Sequence, residues 1–251
     1  MYGWRKRIGL LIPSVNTTME PEFYQMAPEG ITIHTSRMLL ENSFTVDSLI
    51  VMGKEIERAT KEVFSAGVDI VIFGCTSGSF VKGSEHTVEI TDKIKKVLGD
   101  TKPAITTSAA VIDALKVLKA KKIAVATPYP EAINEKEKTF LEENGFIVTN
   151  IKGLGFSERK PVYPLTNSPV SMIGLQEPYV AYNLAIDVNT NDSDCVFISC
   201  TNFRTIEVIE KLERDLGKPV ISSNQATFAI ALREVGIKER PEGYGTLFKN
   251  L

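Results

Sequence analysis

Short apolar runs alternate with helix-like stretches along the whole chain. The runs at 8–13 (IGLLIP), 31–39, 69–74 (DIVIFG), 103–107 (PAITT), 122–127 (KIAVAT), 146–154, 194–199 (DCVFIS) and 219–223 (PVISS) read as strands. The stretches near 45–66, 84–98, 109–119, 131–144, 175–189, 203–216 and 225–235 read as helices. This alternation predicts an α/β protein with parallel sheets. Gly67, Gly145 and Gly217 sit just past three of these helices, where a left-handed C-cap calls for a residue without a Cβ.

The second half of the pattern replays the first. Residues 7–23 align with 122–140, each giving a strand, a proline near its end, a polar turn with an Asn and an acidic helix start. Residues 69–80 align with 194–205, which sets Asp69 over Asp194 and Cys75 over Cys200, and 102–115 align with 218–232. The order of the matches is preserved, and the slips between them fall in connections, where insertions are tolerated. Two pseudo-symmetric, doubly wound parallel-sheet domains are therefore expected. Their predicted bounds are 1–107 together with 224–251, the final helix packing back on the first domain, and 108–223. Ligands of open parallel sheets bind beyond the carboxyl ends of the strands. The motifs PSVNTT, CTSGS, TPYPEAIN and CTN all fall there, and in two facing domains these four loops meet in one cleft.

Composition narrows the partners. The chain has 251 residues, 43% hydrophobic and 24% charged, which fits a globular protein with room for two cores. Lys+Arg 29 against Asp+Glu 31 leaves a net charge of −2, which argues against nucleic acid or an anionic membrane surface and leaves a small ligand. WRKR at 4–7 followed by IGLLI at 8–12 mimics a secretion signal, but an apolar run closed by Pro13 falls short of the roughly 7–15 residues such a signal needs. No run approaches the roughly 20 apolar residues of a bilayer span. A soluble, cytoplasmic protein is expected.

The candidate chemistry lies in the repeated loops. Three cysteines, at 75, 195 and 200, make no disulfide framework in a chain this long. Cys75 ends an apolar run and is followed by Thr76, Ser77 and Gly78, a nest of N–H and hydroxyl groups that suits an anion and is expected to lower a thiol pKa. Cys200, with Thr201 and Asn202, offers the same arrangement from the other half. Two thiols across one pocket can treat the two faces of a carbon differently, one attacking or removing a proton while the other delivers one. Cys195, inside its apolar run, reads as core. On the first loop Asn16, with Ser14, Thr17 and Thr18, can donate hydrogen bonds to a carboxylate, as can Tyr129 on the counterpart loop. The same residue types cap helices. A ligand role is favoured for Asn16 and Tyr129, first-turn helix charges are favoured for Glu20 and Glu22, and for Asn134 capping or surface exposure weighs at least as much as a ligand role. Arg204 is open between anion binding and a surface role. His34 and His86 lie within a strand and at a helix start and read as non-catalytic. No metal site is expected, because Cys195 and Cys200 lack a second ligand pair. No nucleotide cofactor is expected either, since GCTSGS lacks a P-loop lysine and GLGF at 153–156 precedes no helix.

With these residues in view, IGLLIPSVNTTMEPEF, FGCTSGSFVKG, TPYPEAINEKE and ISCTNFRT, spread over about residues 7–235, resemble the maleate cis-trans isomerases of the Asp/Glu racemase superfamily. The resemblance implies two pseudo-symmetric α/β domains, no cofactor, an active site in the cleft, a small dicarboxylate substrate and a homodimer or homotetramer. It makes Cys75 the nucleophile that adds to an alkene carbon of maleate, and Cys200 the acid/base that handles the proton. Rotation about the new single bond and loss of the thiol then give fumarate. Asn16 and Tyr129 would hold the carboxylates, with Ser14, Thr76, Ser77, Thr201 and Asn202 around them. The loop N–H groups would stabilise developing charge. An additional family Asn, on a segment expected to cover the pocket, has Asn167 as its nearest counterpart. Aspartate and glutamate racemases share the two-cysteine layout, so a racemase stays open, as does a non-catalytic carboxylate binder. Arylmalonate decarboxylases keep only the second-half cysteine, and Cys75 speaks against that reading.

Overall fold

The computed structural model describes residues 1–41, 44–99, 101–162 and 166–251, with backbone alone at 162 and 166–168. The first half runs β1 (Lys6–Pro13), α1 (Met19–Met26), β2 (Ile31–Met38), α2 (Val46–Met52), α3 (Ile56–Ser65), β3 (Ile70–Phe73), α4 (Thr76–Phe80), α5 (Glu85–Leu98), β4 (Ala104–Thr106) and α6 (Thr107–Val117). The second runs β5 (Lys122–Thr127), α7 (Glu131–Glu143), β6 (Ile147–Gly153), β7 (Arg159–Val162), β8 (Thr166–Ser171), α8 (Pro178–Val188), β9 (Cys195–Ile198), α9 (Ile209–Leu216), β10 (Val220–Ser222), α10 (Ser223–Glu234) and α11 (Thr246–Lys249).

Two four-stranded parallel sheets result, in the orders β2-β1-β3-β4 and β6-β5-β9-β10. Parallel pairing needs helical crossovers, and the strands so covered are apolar on both faces. Ile8, Leu10, Leu11 and Ile12 of β1 are all fully buried. At about 1.5–3 kcal/mol per buried side chain, such strands anchor each sheet.

The duplication extends to single hydrogen bonds. Asp69 Oδ2 accepts the Arg7 amide at 2.8 Å while the Asp69 amide donates to the Arg7 carbonyl at 2.7 Å. Asp194 does the same with Lys122, at 2.8 and 2.7 Å. Gly74 donates to Leu11 at 2.7 Å, and its counterpart Ser199 donates to Ala126 at 2.8 Å. The repeat read in the sequence is thus a repeat of strand register.

The halves meet around α10. Every residue from Ser223 to Leu232 is buried, as befits a helix covered on all sides. It leaves the second sheet at β10 and packs on α1 and α6 of the first half, with Phe228 against Phe23 at 4.9 Å between ring centroids.

Several local expectations change. The helix expected over 45–66 is α2, a short 3-10 turn at Gly53–Glu55, and α3. Thr45 and Ser48 form the capping box that starts it. The β7–β8 hairpin went unread because its prolines and polar residues mask any strand period. α9 begins at Ile209 rather than near 203, because the chain after Cys200 turns before it coils. Gly67, Gly145 and Gly217 have φ of 69°, 88° and 65°, as the C-cap reading requires. Among the described residues no helix is long and apolar enough to cross a membrane.

Candidate active site

The ends of β1, β3, β5 and β9 converge on one pocket between the two halves. Asn16, Cys75, Tyr129, Cys200 and Thr201 line it together with Leu40, Phe44, Ser171 and Ile173. Ser171 ends β8 and Ile173 follows it, so the segment expected to cover the pocket does reach it. The side chain of Asn167 lies outside the described residues. No lysine or arginine lines the described pocket.

All three thiols are free. Cys75, 4% exposed, is the N-cap of α4, and its sulfur accepts the Gly78 amide at 3.3 Å, with the Ser77 hydroxyl at 3.8 Å. Cys200, 6% exposed, takes a different backbone conformation, with φ of 94°. That region is sparsely populated by residues with a Cβ and costs about 1–3 kcal/mol, sustained only where surroundings enforce it. Here the Cys200 amide donates to Ser223 Oγ at 3.0 Å and its sulfur accepts the Asn202 amide at 3.4 Å. Thr76 Oγ1 also donates to Ser223 Oγ, at 2.9 Å, so a hydroxyl at the start of α10 joins the two cysteine loops.

The expectation of lowered thiol pKa values is overturned. Burial pushes Cys75 up to about 11, against the opposing pull of the Gly78 amide and the Ser77 hydroxyl. Burial likewise pushes Cys200 up to about 12, against the Asn202 amide and the Tyr129 phenol, with the neighbouring Cys75 adding to the rise. Removing a thiolate from water here outweighs the few N–H groups that point at it. Cys195 sits fully buried in β9, and its thiol is raised by burial, as a core residue's should be.

The polar residues divide into those facing the pocket and those tying the halves together. Asn16 does both: Oδ1 accepts the Thr18 and Met19 amides at 3.0 Å each in the turn that leads into α1, and Nδ2 donates to Thr201 Oγ1 at 3.0 Å. Thr201 in turn donates to the Gly74 carbonyl at 3.2 Å. Asn202 Oδ1 accepts the Thr17 amide at 2.8 Å, which spends it as a tie across the cleft. Ser14 is absent from the lining, and its hydroxyl accepts the Leu40 amide at 3.1 Å. Tyr129 is buried and stacked on Phe44 at 5.4 Å, and its phenol is raised well above the usual range, first by burial and then by Cys200 and Glu137. Asn134, 2% exposed, accepts Thr127 Oγ1 at 2.6 Å and so holds the turn before Tyr129, which is neither the capping nor the surface exposure expected of it, since Pro130 is the N-cap of α7.

Four charged candidates resolve away from the pocket. Arg204 pairs with Glu207 at 2.8 Å and Glu177 at 3.3 Å. His34 bonds the Thr32 hydroxyl at 2.9 Å, and His86 bonds Glu89 at 2.9 Å. Glu20 pairs with Arg37 at 3.1 Å. Glu22 is not the first-turn surface charge expected of it. It is 2% exposed, with Oε1 accepting the Thr205 and Ile206 amides at 2.7 and 3.3 Å and Oε2 accepting Asn224 Nδ2 at 2.6 Å. Burial pushes it up to about 7 despite those donors. Sequence reasoning also missed Phe44, Ile173, Glu137 and Ser223. For Ser223 a signal existed, since the repeat sets it over Thr107, a second small hydroxyl at a strand end.

A family profile described as arylmalonate decarboxylase matches residues 8–248. A maleate isomerase of Pseudomonas putida is 27% identical over 252 residues, covering 96% of this chain and 96% of that protein. An arylmalonate decarboxylase of Bordetella bronchiseptica is 27% identical over 243 residues, covering 96% of this chain and 95% of that protein. Among solved structures, a cysteine-to-alanine variant of the maleate isomerase Iso from Pseudomonas putida S16 with maleate superposes with a TM-score of 0.88 at 26% identity, covering 98% of each chain.

Proposed function

The chain belongs to the arylmalonate decarboxylase family, and from that premise we propose that it is a cofactor-independent maleate cis-trans isomerase acting through Cys75 and Cys200. The observation that carries this reading is the pair of free thiols facing one pocket, with no Lys or Arg among its described lining residues, from register-equivalent strand ends. A decarboxylase with a single second-half cysteine has no use for Cys75. A binding protein has no use for either thiol.

A C=C bond does not rotate thermally at a useful rate, so covalent addition is the step that matters. Cys75 Sγ, as thiolate, bonds to one alkene carbon while the Cys200 thiol gives its proton to the other. The products are an S-succinyl Cys75 and a Cys200 thiolate. After rotation about the single bond, Cys200 takes the proton back, the C–S bond breaks, and fumarate leaves with the Cys75 thiolate restored. Burial raises both thiols, and the Cys75 charge further raises Cys200, which suits Cys200 to the role of proton donor while Cys75 is ionised. The Gly78 and Asn202 amides face the sulfurs as each carries charge. The substrate carboxylates meet Asn16 Nδ2, shared with Thr201, and the hydroxyls of Tyr129 and Ser77, while the Thr76 hydroxyl stays engaged with Ser223. Local dipoles, rather than Lys or Arg, bind the dianion.

We assign 1–107 with 224–251 to one domain and 108–223 to the other, a division supported by the packing of α10 on α1. Exposed Tyr2, Trp4, Tyr24 and Leu39 favour a homodimer or homotetramer, and three free thiols favour a reducing cytoplasm. The deciding experiment is incubation with maleate in D₂O followed by proton NMR, with Cys75→Ala and Cys200→Ala as controls. Fumarate from wild type alone is expected. Deuterium entering the α-position of aspartate or glutamate, without fumarate, would replace the isomerase with a racemase.

A further inference from the structure

Behind the second cysteine loop lies a carboxyl group that the reaction above leaves unused. Glu137, on α7, is 1% exposed, and its Oε1 lies 2.6 Å from Ser199 Oγ. Its Oε2 is buried with no hydrogen-bond partner among the described residues. Ionised, this group would hold a charged, unsatisfied oxygen in a dry interior, a state that protein interiors penalise heavily. α7 packs on α4, which carries no titratable side chain, and on β6, whose Lys152 is engaged by Asp187 at the surface. The titratable groups that feel its charge are Tyr129 and Cys200. Burial accordingly pushes Glu137 up to about 8.

Ser199 directly precedes Cys200, whose positive φ needs a fixed neighbour. With Glu137 protonated, the 2.6 Å contact runs from its O–H to Ser199 Oγ. We propose that Glu137 is a positioning residue for Cys200: a neutral carboxylic acid that fixes Ser199 and, by remaining uncharged, keeps Cys200 a competent proton donor. The proposal deepens the isomerase reading and rests on it, because it presumes that Cys200 supplies the proton. Once Glu137 ionises, its charge makes Cys200 and Tyr129 weaker acids.

The test compares full-length wild type, Glu137→Gln and Glu137→Leu from about pH 6 to about pH 10, with two readouts. One is kcat and KM for maleate, and the other is the rate at which iodoacetamide labels Cys200, followed by peptide mass spectrometry. Wild-type kcat is expected to level off above about pH 8, whereas E137Q matches it within about twofold near neutrality and keeps rising, to about tenfold above wild type near pH 9. Cys200 labelling in E137Q should be faster by about the same factor at that pH. E137L, unable to hold Ser199, should lose kcat at every pH with KM little changed, and if it does not fold, E137Q alone decides. Coincident pH profiles for wild type and E137Q in both readouts would overturn the proposal. Absence of maleate turnover in wild type would instead sink the isomerase reading, and the labelling profile would still decide the role of Glu137.

Discussion

The Ser223 hydroxyl holds the Cys200 amide at 3.0 Å, and the Thr76 hydroxyl reaches the same oxygen at 2.9 Å. One side chain at the start of α10 therefore fixes a strained residue of one half and a loop of the other. Ser223→Ala frees both. The expected outcome is a loss of about 1–2 kcal/mol in stability and a fall of about ten- to a hundredfold in kcat, read by denaturant unfolding and maleate turnover.

The three cysteines should separate cleanly. Cys75→Ala and Cys200→Ala are expected to abolish turnover, by about a thousandfold or more, with circular dichroism and unfolding midpoints near wild type. Cys195→Ala, in the packed strand β9, should keep its rate and lose about 1 kcal/mol of stability. A dead Cys195→Ala that still folds would place the chemistry elsewhere.

The pH dependence of the reaction follows from the direction in which burial moves Cys75. Its thiol rises to about 11, so the thiolate is a minor species at neutrality and its fraction grows about tenfold per pH unit. Between about pH 6 and pH 8, kcat/KM is expected to climb by close to that factor per unit. A flat profile over that range would mean that substrate binding, or another base, already ionises Cys75.

Glu22 makes stability itself pH-dependent. Its carboxyl moves from 4.5 to about 7 on folding, so protonation favours the folded state. Its contribution is fully present below about pH 4.5 and is lost as pH rises through about 7, a change on the order of 3 kcal/mol. Glu137, raised to about 8, acts in the same direction over a slightly higher window. Urea unfolding at about pH 5 and about pH 9 should show a smaller alkaline loss for Glu22→Gln than for wild type. Asn224 Oδ1, buried without a partner among the described residues, can turn to accept the new amide.

How much of this was readable beforehand follows a physical line. The strand ends, the paired cysteine loops and the Asp69–Asp194 equivalence were legible, because apolar runs and a duplicated register write themselves into local sequence. Glu22 and Glu137 were not, because what buries them is contributed by distant segments, and a helix-start glutamate looks the same on a surface as in an interface. The thiol shifts went the wrong way for a related reason: the loop dipoles are local and visible, while the desolvation that outweighs them is tertiary. The positive φ of Cys200 has no counterpart at Cys75, so the repeat itself concealed it.

The placement of α10 also bears on how the polypeptide is made. Its partner α1 precedes it by about 200 residues, so during synthesis at about 5–20 residues per second the face that receives Phe228 stays uncovered for roughly 10–40 s. The first sheet can assemble on the ribosome, but its closing helix arrives only after the whole second sheet has emerged. Nascent chains stalled before Ser223 should therefore carry an open apolar groove around Phe23 and engage chaperones, and those extended past Glu234 should release them.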